Sequence, residues 1–444
     1  MHGAGEVIFG WSPMWVATAI LVLTYLVIVT ERVNRSIVAL LGAGVMIQSG
    51  VLDQAEAVRG IDFNTIALLT GMMLLVAISR KCGMFQSMAV LAAQWARASP
   101  WGILLMLSVV TAVLSALLDN VTTVLLIVPV TLAITRELDV PAYPFLFSEI
   151  FASNIGGTAT LIGDPPNILI GSEVGLSFND FVLNLTPVIV VVMAAQSVAI
   201  HLLWGRQMAA TSAARARVMA MRPGDAITDP ALLRQSLVVL SAVILAFIGA
   251  RWLKLEPGTI AMFGAAVLLF LDNRRHGAEA QSHRVHETFG AVEWITIFFF
   301  VGLFVVVHGV EVAGVLAWLA ERMLAATGAD LTMTTLSILW LSAILSAIVD
   351  NIPFVATMIP LIKSMAPAFG GPENLLPLWW SLSLGACLGG NGTLIGASAN
   401  LTVAGLAERA GIRFSFLKFT AYAFPLMLMS VAICHVYVAW RYLP

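Results

Sequence analysis

The sequence predicts an all-α membrane protein that crosses the bilayer many times. Of its 444 residues, 59% are hydrophobic and 11% are charged, whereas a soluble domain carries about 25% charged residues. Apolar stretches long enough to span a membrane recur along the chain, at 7–30, 36–52, 63–79, 98–118, 181–205 and 419–440. The formal net charge of −2 leaves no basic face. Composition therefore argues against a soluble fold and against nucleic acid as a partner.

The chain divides into two related halves. Aligned with itself at an offset of 231, it places Asp119-Asn120 on Asp350-Asn351. At an offset of 233, the segment 156–163 falls on 389–396, and both segments contain Gly-Gly followed shortly by Thr-Leu-Ile-Gly. Chance matching of Leu and Val is expected in any membrane protein, but chance does not repeat these rarer residues at nearly constant spacing. We infer an internal repeat.

The polar segment 206–231 separates the halves, so we predict the first repeat at 1–205 and the second at 232–444. The distribution of Lys and Arg predicts that this linker is cytoplasmic, in a protein of the cell (inner) membrane, with both termini outside. Each half then has five crossings and one re-entrant hairpin, which predicts about ten transmembrane helices and two hairpins in all. An odd number of crossings inverts the second repeat, an arrangement that lets a transporter alternate between inward-open and outward-open states.

Two acidic residues at membrane depth mark the predicted hairpins. Asp119 and Asp350 each lie between apolar arms, which predicts hairpins at about 101–135 and 331–362. In one interpretation, each Asp only caps the second arm. However, a buried Asp costs about 2.5–3.5 kcal/mol on insertion scales and usually marks a functional site. We therefore expect both carboxylates in one polar cavity, with Asn120, Thr123 and Asn351 beside them.

Paired glycines interrupt two further apolar segments and predict discontinuous helices at about 144–171 and 379–406. Such breaks free backbone groups near the membrane midplane, where transporters bind ions and substrates. Close helix packing through glycine is the alternative explanation, but packing glycines would not need Asn and Thr beside them. The candidate binding residues here are Asn154, Gly157, Thr158, Cys387, Gly390, Asn391 and Thr393.

Two acids in the first half have no acidic counterpart in the second. Asp164 aligns with Ala397, and Glu149 aligns with Leu382. Both are candidates for proton coupling beside Asp119 and Asp350, although both could equally be interfacial, and Asp164 could simply cap a half-helix. The three cysteines are too scattered for a disulfide framework or a metal site. We predict neither a metal nor a cofactor.

The run 153–167, Ser-Asn-Ile-Gly-Gly-Thr-Ala-Thr-Leu-Ile-Gly-Asp-Pro-Pro-Asn, resembles the signature of the ion transporter superfamily. It is most similar to the branch that holds arsenite permeases (ArsB), NhaD-type sodium–proton antiporters and the melanosomal P protein. The resemblance implies a scaffold domain, a mobile transport domain, elevator motion and a homodimer. Dicarboxylate-transporting relatives carry Ser-Asn-Thr at the hairpin tips. Here the tips begin with Asp119 and Asp350, which would repel a dianion unless protonated or covered by sodium.

These observations predict a secondary transporter that exchanges protons for a small inorganic substrate. Removal from water favours the neutral form of a carboxyl group, so buried acids can carry protons. The amides and hydroxyls match the hydroxyls of arsenite or antimonite, which makes proton-coupled efflux of these the first expectation. Sodium–proton antiport is the alternative, and a carboxylate symporter or a channel ranks below both. The sequence contains neither an HExxH nor a GxGD motif, so we do not expect an enzyme.

Overall fold

The computed structural model describes residues 7, 10–30 and 32–443, and its regular elements are helices, which confirms the predicted all-α class. Residues 1–6, 8, 9 and 31 of the predicted first repeat and residue 444 of the second lie outside the described residues. The first half forms α1 (Pro13–Val29), α2 (Arg35–Gln48), α3 (Gln54–Arg59), α4 (Phe63–Arg80), α5 (Met84–Trp95), α6 (Pro100–Leu117), α7 (Asn120–Leu138), α8 (Tyr143–Thr158), α9 (Pro165–Val174) and α10 (Phe178–Trp204).

The second half repeats this order of elements. After α11 (Ser212–Ala220) it forms α12 (Pro230–Leu253), α13 (Pro257–Asn273), α14 (Ala278–Gly290), α15 (Trp294–Val312), α16 (Val315–Thr327), α17 (Leu331–Ile348), α18 (Asn351–Lys363), α19 (Leu376–Gly389), α20 (Ser398–Arg409) and α21 (Phe416–Tyr442). Helices α1 to α10 thus correspond in order to α12 to α21. Even the turn residues match, because Gly83 before α5 and Gly314 before α16 adopt φ values of +79° and +80°, which glycine reaches at little cost.

Eight helices within the described residues are long and apolar enough to cross a membrane, and four apolar helices are shorter. Four of these twelve are arms of the two predicted hairpins, α6–α7 and α17–α18. The other eight, together with two interrupted helices, would supply the predicted number of about ten crossings. The two interruptions lie within the segments 144–171 and 379–406. Residues 159–164 separate α8 from α9, and short 3-10 turns over 390–396 separate α19 from α20.

The two halves pack against each other through two equivalent helix pairs. Helix α2 packs on α15, the counterpart of α4, and α4 packs on α13, the counterpart of α2. Glycines permit a close approach in both pairs. A Cβ on Gly71 would lie 2.6 Å from the backbone of Ala261, and one on Gly302 would lie 2.5 Å from the backbone of Ala39. The same contact is thus built twice, once from each half.

Replacing Gly302 with Leu should destabilise the protein by roughly 1–3 kcal/mol, because an added side chain would displace the α2 backbone. Gly44→Leu is the matched control, since no heavy atom lies within 4 Å of a Cβ at that position on the same helix pair. Thermal unfolding in detergent measures both variants. Equal unfolding temperatures for the two would contradict the packing argument.

The segment between the halves is folded against the first half. Arg217 of α11 forms an ion pair with Glu137 at 3.1 Å, and its Nη2 donates to the Glu137 carbonyl oxygen. The Thr228 hydroxyl donates to the carbonyl oxygen of Lys81, where α4 ends. Lys81 in turn donates to Thr288 of α14 at 2.8 Å. The linker, the end of α4 and α14 therefore lie on one side of the molecule, called the linker face below.

Candidate functional site

The tips of the two hairpins are built alike. Asp119 accepts a hydrogen bond from the Thr122 backbone N–H at 2.8 Å, and Asp350 accepts one from the Ile352 N–H at 3.1 Å. Each acid is therefore the N-cap of the second arm of its hairpin, which is the role that the capping interpretation gives it. The caps do not use all the oxygens of either carboxylate, so each acid can bind a second partner.

Two asparagines hold the interrupted helices in shape. Asn167 donates to the carbonyl oxygens of Thr158 and Thr160, at 3.1 and 2.9 Å. Its counterpart Asn400 donates to those of Gly390 and Thr393, both at 2.8 Å. Carbonyls left free by a break in a helix must be paired when buried. The aligned asparagines were visible in the repeat, but sequence reasoning did not single them out as site residues.

A cluster of buried amides joins the first hairpin to both interrupted helices. Asn120 Nδ2 donates to Asn154 Oδ1 at 3.1 Å. Asn154 Nδ2 donates to Asn391 Oδ1 at 2.9 Å and to Asn400 Oδ1 at 2.8 Å. Asn391 Nδ2 is buried without a hydrogen-bond partner within the described residues. This unpaired donor indicates a place for a ligand oxygen or for water.

The second hairpin approaches an acid of the first half. Asn351 Nδ2 lies 3.4 and 3.5 Å from the two carboxylate oxygens of Asp164, which is 1% exposed. Both hairpin tips therefore contact the first interrupted helix, Asn120 through Asn154 of α8 and Asn351 through Asp164 at the end of the break. Asp164, one of the two acids that the repeat does not duplicate, therefore lies where the tips converge.

A cavity of about 130 Å³ lies at this junction. It brings together Asp119, Asn120, Asp164 and Asn351 from the predicted set. Six polar residues that sequence reasoning did not select also line it, namely Arg35, Thr122, Glu293, Thr296, Ser398 and Thr402. In the sequence analysis, Arg35 counted only among the Lys and Arg residues that set the predicted membrane orientation. No residue near it in sequence indicates a partner in the second hairpin. We call this space the site cavity.

Asp350 departs from the expectation of one shared cavity. It lines a neighbouring cavity of about 310 Å³ and forms an ion pair with Arg35 at 2.9 Å. The guanidinium lies between the two spaces, since Arg35 lines both. The attraction between opposite charges stabilises this pairing of Asp350 with Arg35.

Several predicted residues lie outside the site cavity and serve the local structure. Thr158 donates to the Asn154 carbonyl oxygen, and Thr393 donates to that of Ala347. A Cβ on Gly157 would lie 2.5 Å from the Gly163 oxygen, and one on Gly390 would lie 2.9 Å from the Gly396 oxygen. These two glycines therefore allow the backbone at each break to pack closely against itself. This role agrees with the alternative explanation, in which the glycines serve close packing.

The remaining predicted residues are buried elsewhere. Cys387 Sγ is 3.6 Å from Asn167 Oδ1 and does not line the site cavity. Glu149 accepts a short hydrogen bond from Thr131, and its other oxygen is unpaired within the described residues. The Thr123 hydroxyl is likewise buried and unpaired in the part of the chain that the structure describes. Sequence position does not reveal which side of a buried helix a residue faces, so these three could not be separated from the cavity residues.

Comparison with known proteins now places the chain in a family. A family model described as "Citrate transporter" (CitMHS) matches residues 25–385. An uncharacterized transporter of Mycobacterium bovis is 42% identical over 431 residues, covering 96% of this chain and 98% of that protein. The P protein of Homo sapiens is 34% identical over 521 residues, covering 97% of this chain and 61% of the P protein.

Among solved structures, the YdaH transporter of Alcanivorax borkumensis has a similar fold. Its TM-score is 0.57 at 14% sequence identity, and the match covers 97% of this chain and 98% of that one. The predicted likeness to the P protein is confirmed, as are the transport class and the expectation that the chain is not an enzyme. The chain belongs to the CitMHS citrate transporter family of the ion transporter superfamily and is a multi-pass membrane transporter.

Proposed function

We propose that this transporter exchanges protons for a small inorganic substrate bound in the site cavity. The observation that carries the proposal is the convergence of Asp119 and Asp164 on a cavity of about 130 Å³ between both hairpin tips. Buried acids in a membrane protein usually mark ion pathways or proton relays. Entering protons would neutralise these acids, and their release would accompany the binding of substrate.

The donor set supports a small hard cation, with sodium as the first candidate. Asp119, Asp164 and Glu293 line the site cavity, where the basic side chain is that of Arg35. Carboxylate, amide and hydroxyl oxygens are hard ligands, which suit such ions better than soft metals. A citrate-like polyanion would meet several acids in a small space, so a carboxylate symporter remains a lower-ranked proposal. Channel function ranks lowest.

Arsenite or antimonite, the first expectation from sequence, becomes the second candidate. The amides of Asn120 and Asn351 line the cavity and could bind the hydroxyls of a neutral oxyacid. Cys387, the thiol that could have added a soft ligand, is buried beside Asn167. Because Cys387 does not line the site cavity, the proposal of a metalloid rests on these hydrogen bonds.

The packing of the halves supports inverted repeats. Gly302 and Gly309 of α15 lie against Ala39 and Met46 of α2, so these two helices run parallel. Gly60, just before α4, lies against His308 near the end of α15. Helix α4 thus begins where its own counterpart α15 ends, as expected if the repeats have opposite directions. We infer that the halves are inverted in the membrane, a geometry suited to alternating access.

Within this arrangement we propose an elevator. Helices α6–α9 and α17–α20 would form the transport domain, because each hairpin packs on an interrupted helix, with Gly156 against Ala112 and Gly389 against Ala343. The α2–α15 and α4–α13 pairs would form the scaffold. We further propose a cell (inner) membrane location, a cytoplasmic linker face with both termini outside, and a homodimer. Cross-linking in native membranes tests the dimer.

Flux in proteoliposomes tests the proposed exchange. With a proton gradient imposed, we expect uptake of sodium that is coupled to proton release, reported by a pH-sensitive dye in the vesicle lumen. Parallel assays with arsenite, antimonite and citrate rank the substrates under the same gradient. Coupled metalloid flux without sodium flux would reverse the order of the first two candidates. Substrate flux that is insensitive to the proton gradient would contradict the exchange mechanism.

A further inference from the structure

A charged side chain forms the boundary between the two cavities. Arg35, the first residue of α2, donates through Nη1 to Asp350 Oδ2 at 2.9 Å and to Ser398 Oγ at 2.6 Å. Its Nη2 donates to Thr296 Oγ1 at 3.3 Å. Ser398 Oγ donates to the same Asp350 oxygen at 3.0 Å. The guanidinium therefore joins the starts of two scaffold helices, α2 and α15, to a hairpin tip and to α20.

The two cavities meet at this cluster. Arg35 and Ser398 line both the site cavity and the larger cavity of about 310 Å³. Asp350 lines the larger cavity, and its neighbour Asn351 lines the site cavity. A solute that passes from one space to the other at this point must displace the guanidinium from Asp350 and Ser398.

The larger cavity lies toward the linker face. It is lined by Val33 and Asn34, which precede α2, and by Ile295 in the first turn of α15. Since α2 and α15 run parallel, both begin on the same side of the molecule. That side is the linker face, because α15 directly follows α14, whose Thr288 binds Lys81.

The internal repeat does not duplicate this feature. Helix α13, the counterpart of α2, begins at Pro257. Asp119, the counterpart of Asp350, forms no ion pair within the described residues, where it serves as a helix cap. The ion pair with an arginine is therefore present at the tip of the second hairpin. The tip of the first hairpin has no matching ion pair within the described residues.

We propose that Arg35 is a charge gate between the larger cavity and the site cavity. While the guanidinium is bound to Asp350 and Ser398, it separates the two cavities. A cation that binds the Asp350 carboxylate competes with Arg35 and frees its side chain to swing into the larger cavity. The identity of the ion rests on the proposed function, whereas the position of the gate rests on geometry alone.

Cysteine accessibility tests the gate without requiring transport. Thr122 lines the site cavity, so Thr122→Cys is introduced after the three buried native cysteines are replaced. A small cationic methanethiosulfonate is applied to vesicles from the linker face, and its rate of reaction is measured. We expect Arg35→Gln to raise that rate about tenfold or more, since the barrier is removed and the Asp350 carboxylate is left to attract the cationic reagent.

Arg32→Gln is the matched control, because Arg32 is exposed in the same α1–α2 connection and should leave the rate unchanged. Asp350→Asn is a second way to open the gate if Arg35→Gln folds poorly, since Asn can still cap α18. A rate within twofold of the parent in both variants would overturn the gate. Faster labelling in a chain that carries neither sodium nor metalloid would uphold the gate and contradict the proposed function.

Discussion

Replacement of Asp119 with Asn should reduce proton-coupled exchange to the level of protein-free vesicles. Asp119 lines the site cavity, and its side chain also caps α7 through the Thr122 N–H. Asn keeps that cap but cannot take up and release a proton. The expected result is a chain that folds and inserts normally yet no longer couples flux to the proton gradient.

The measurement is the dye-reported proton movement under an imposed substrate gradient, together with thermal unfolding of the purified protein. Asp139→Asn serves as the control on the same helix. Asp139 is exposed and ends α7 with φ +56°, a conformation that Asn tolerates well, so this variant should transport normally. If the double variant Asp119→Asn, Asp350→Asn retained full coupling, these two acids would have no part in the mechanism.

Replacement of Asn154 with Ala should destabilise the protein more than any single surface change. Asn154 is fully buried and forms three hydrogen bonds, which link Asn120 of one half to Asn391 and Asn400 of the other. The substitution removes the partner of Asn120 Nδ2 and of the Oδ1 atoms of Asn391 and Asn400. Because each unpaired buried group costs about 1–3 kcal/mol, we expect a loss of roughly 2–4 kcal/mol after partial relaxation.

Thermal unfolding in detergent and substrate flux should both report this loss. Asn374→Ala is the matched control, since Asn374 is exposed and makes a local hydrogen bond to the Phe369 carbonyl oxygen. The two variants remove the same amide group in different surroundings. Similar unfolding temperatures for both would show that the amide cluster does not hold the halves together.

The positions of the hairpin tips and of the helix breaks could be predicted because their signals are local in sequence. Asp-Asn between two apolar arms and Gly-Gly before Thr-Leu-Ile-Gly are rare within membrane-spanning segments. Their repetition at nearly constant offset distinguished them from chance. The dual role of Asp119, as a helix cap and as a residue of the site cavity, was also visible as a pair of competing interpretations.

The roles of single residues within those segments were harder to predict. Thr158, Cys387 and Glu149 lie in the right helices but do not line the site cavity. A helix that is buried on every side lacks the amphipathic pattern that would reveal its binding face. For such helices, the sequence identifies the segment and leaves the orientation of each side chain open.

The sequence by itself determined the helical class, the repeat and the segments that interrupt the membrane helices. Those properties follow from hydrophobicity and from rare polar residues, which act over a few turns of chain. Only the tertiary structure decided which charges meet. Arg35 and Asp350 are 315 residues apart, and Asn351 reaches Asp164 across the two halves. A buried charge requires a partner, but which residue supplies it depends on how the two halves pack together.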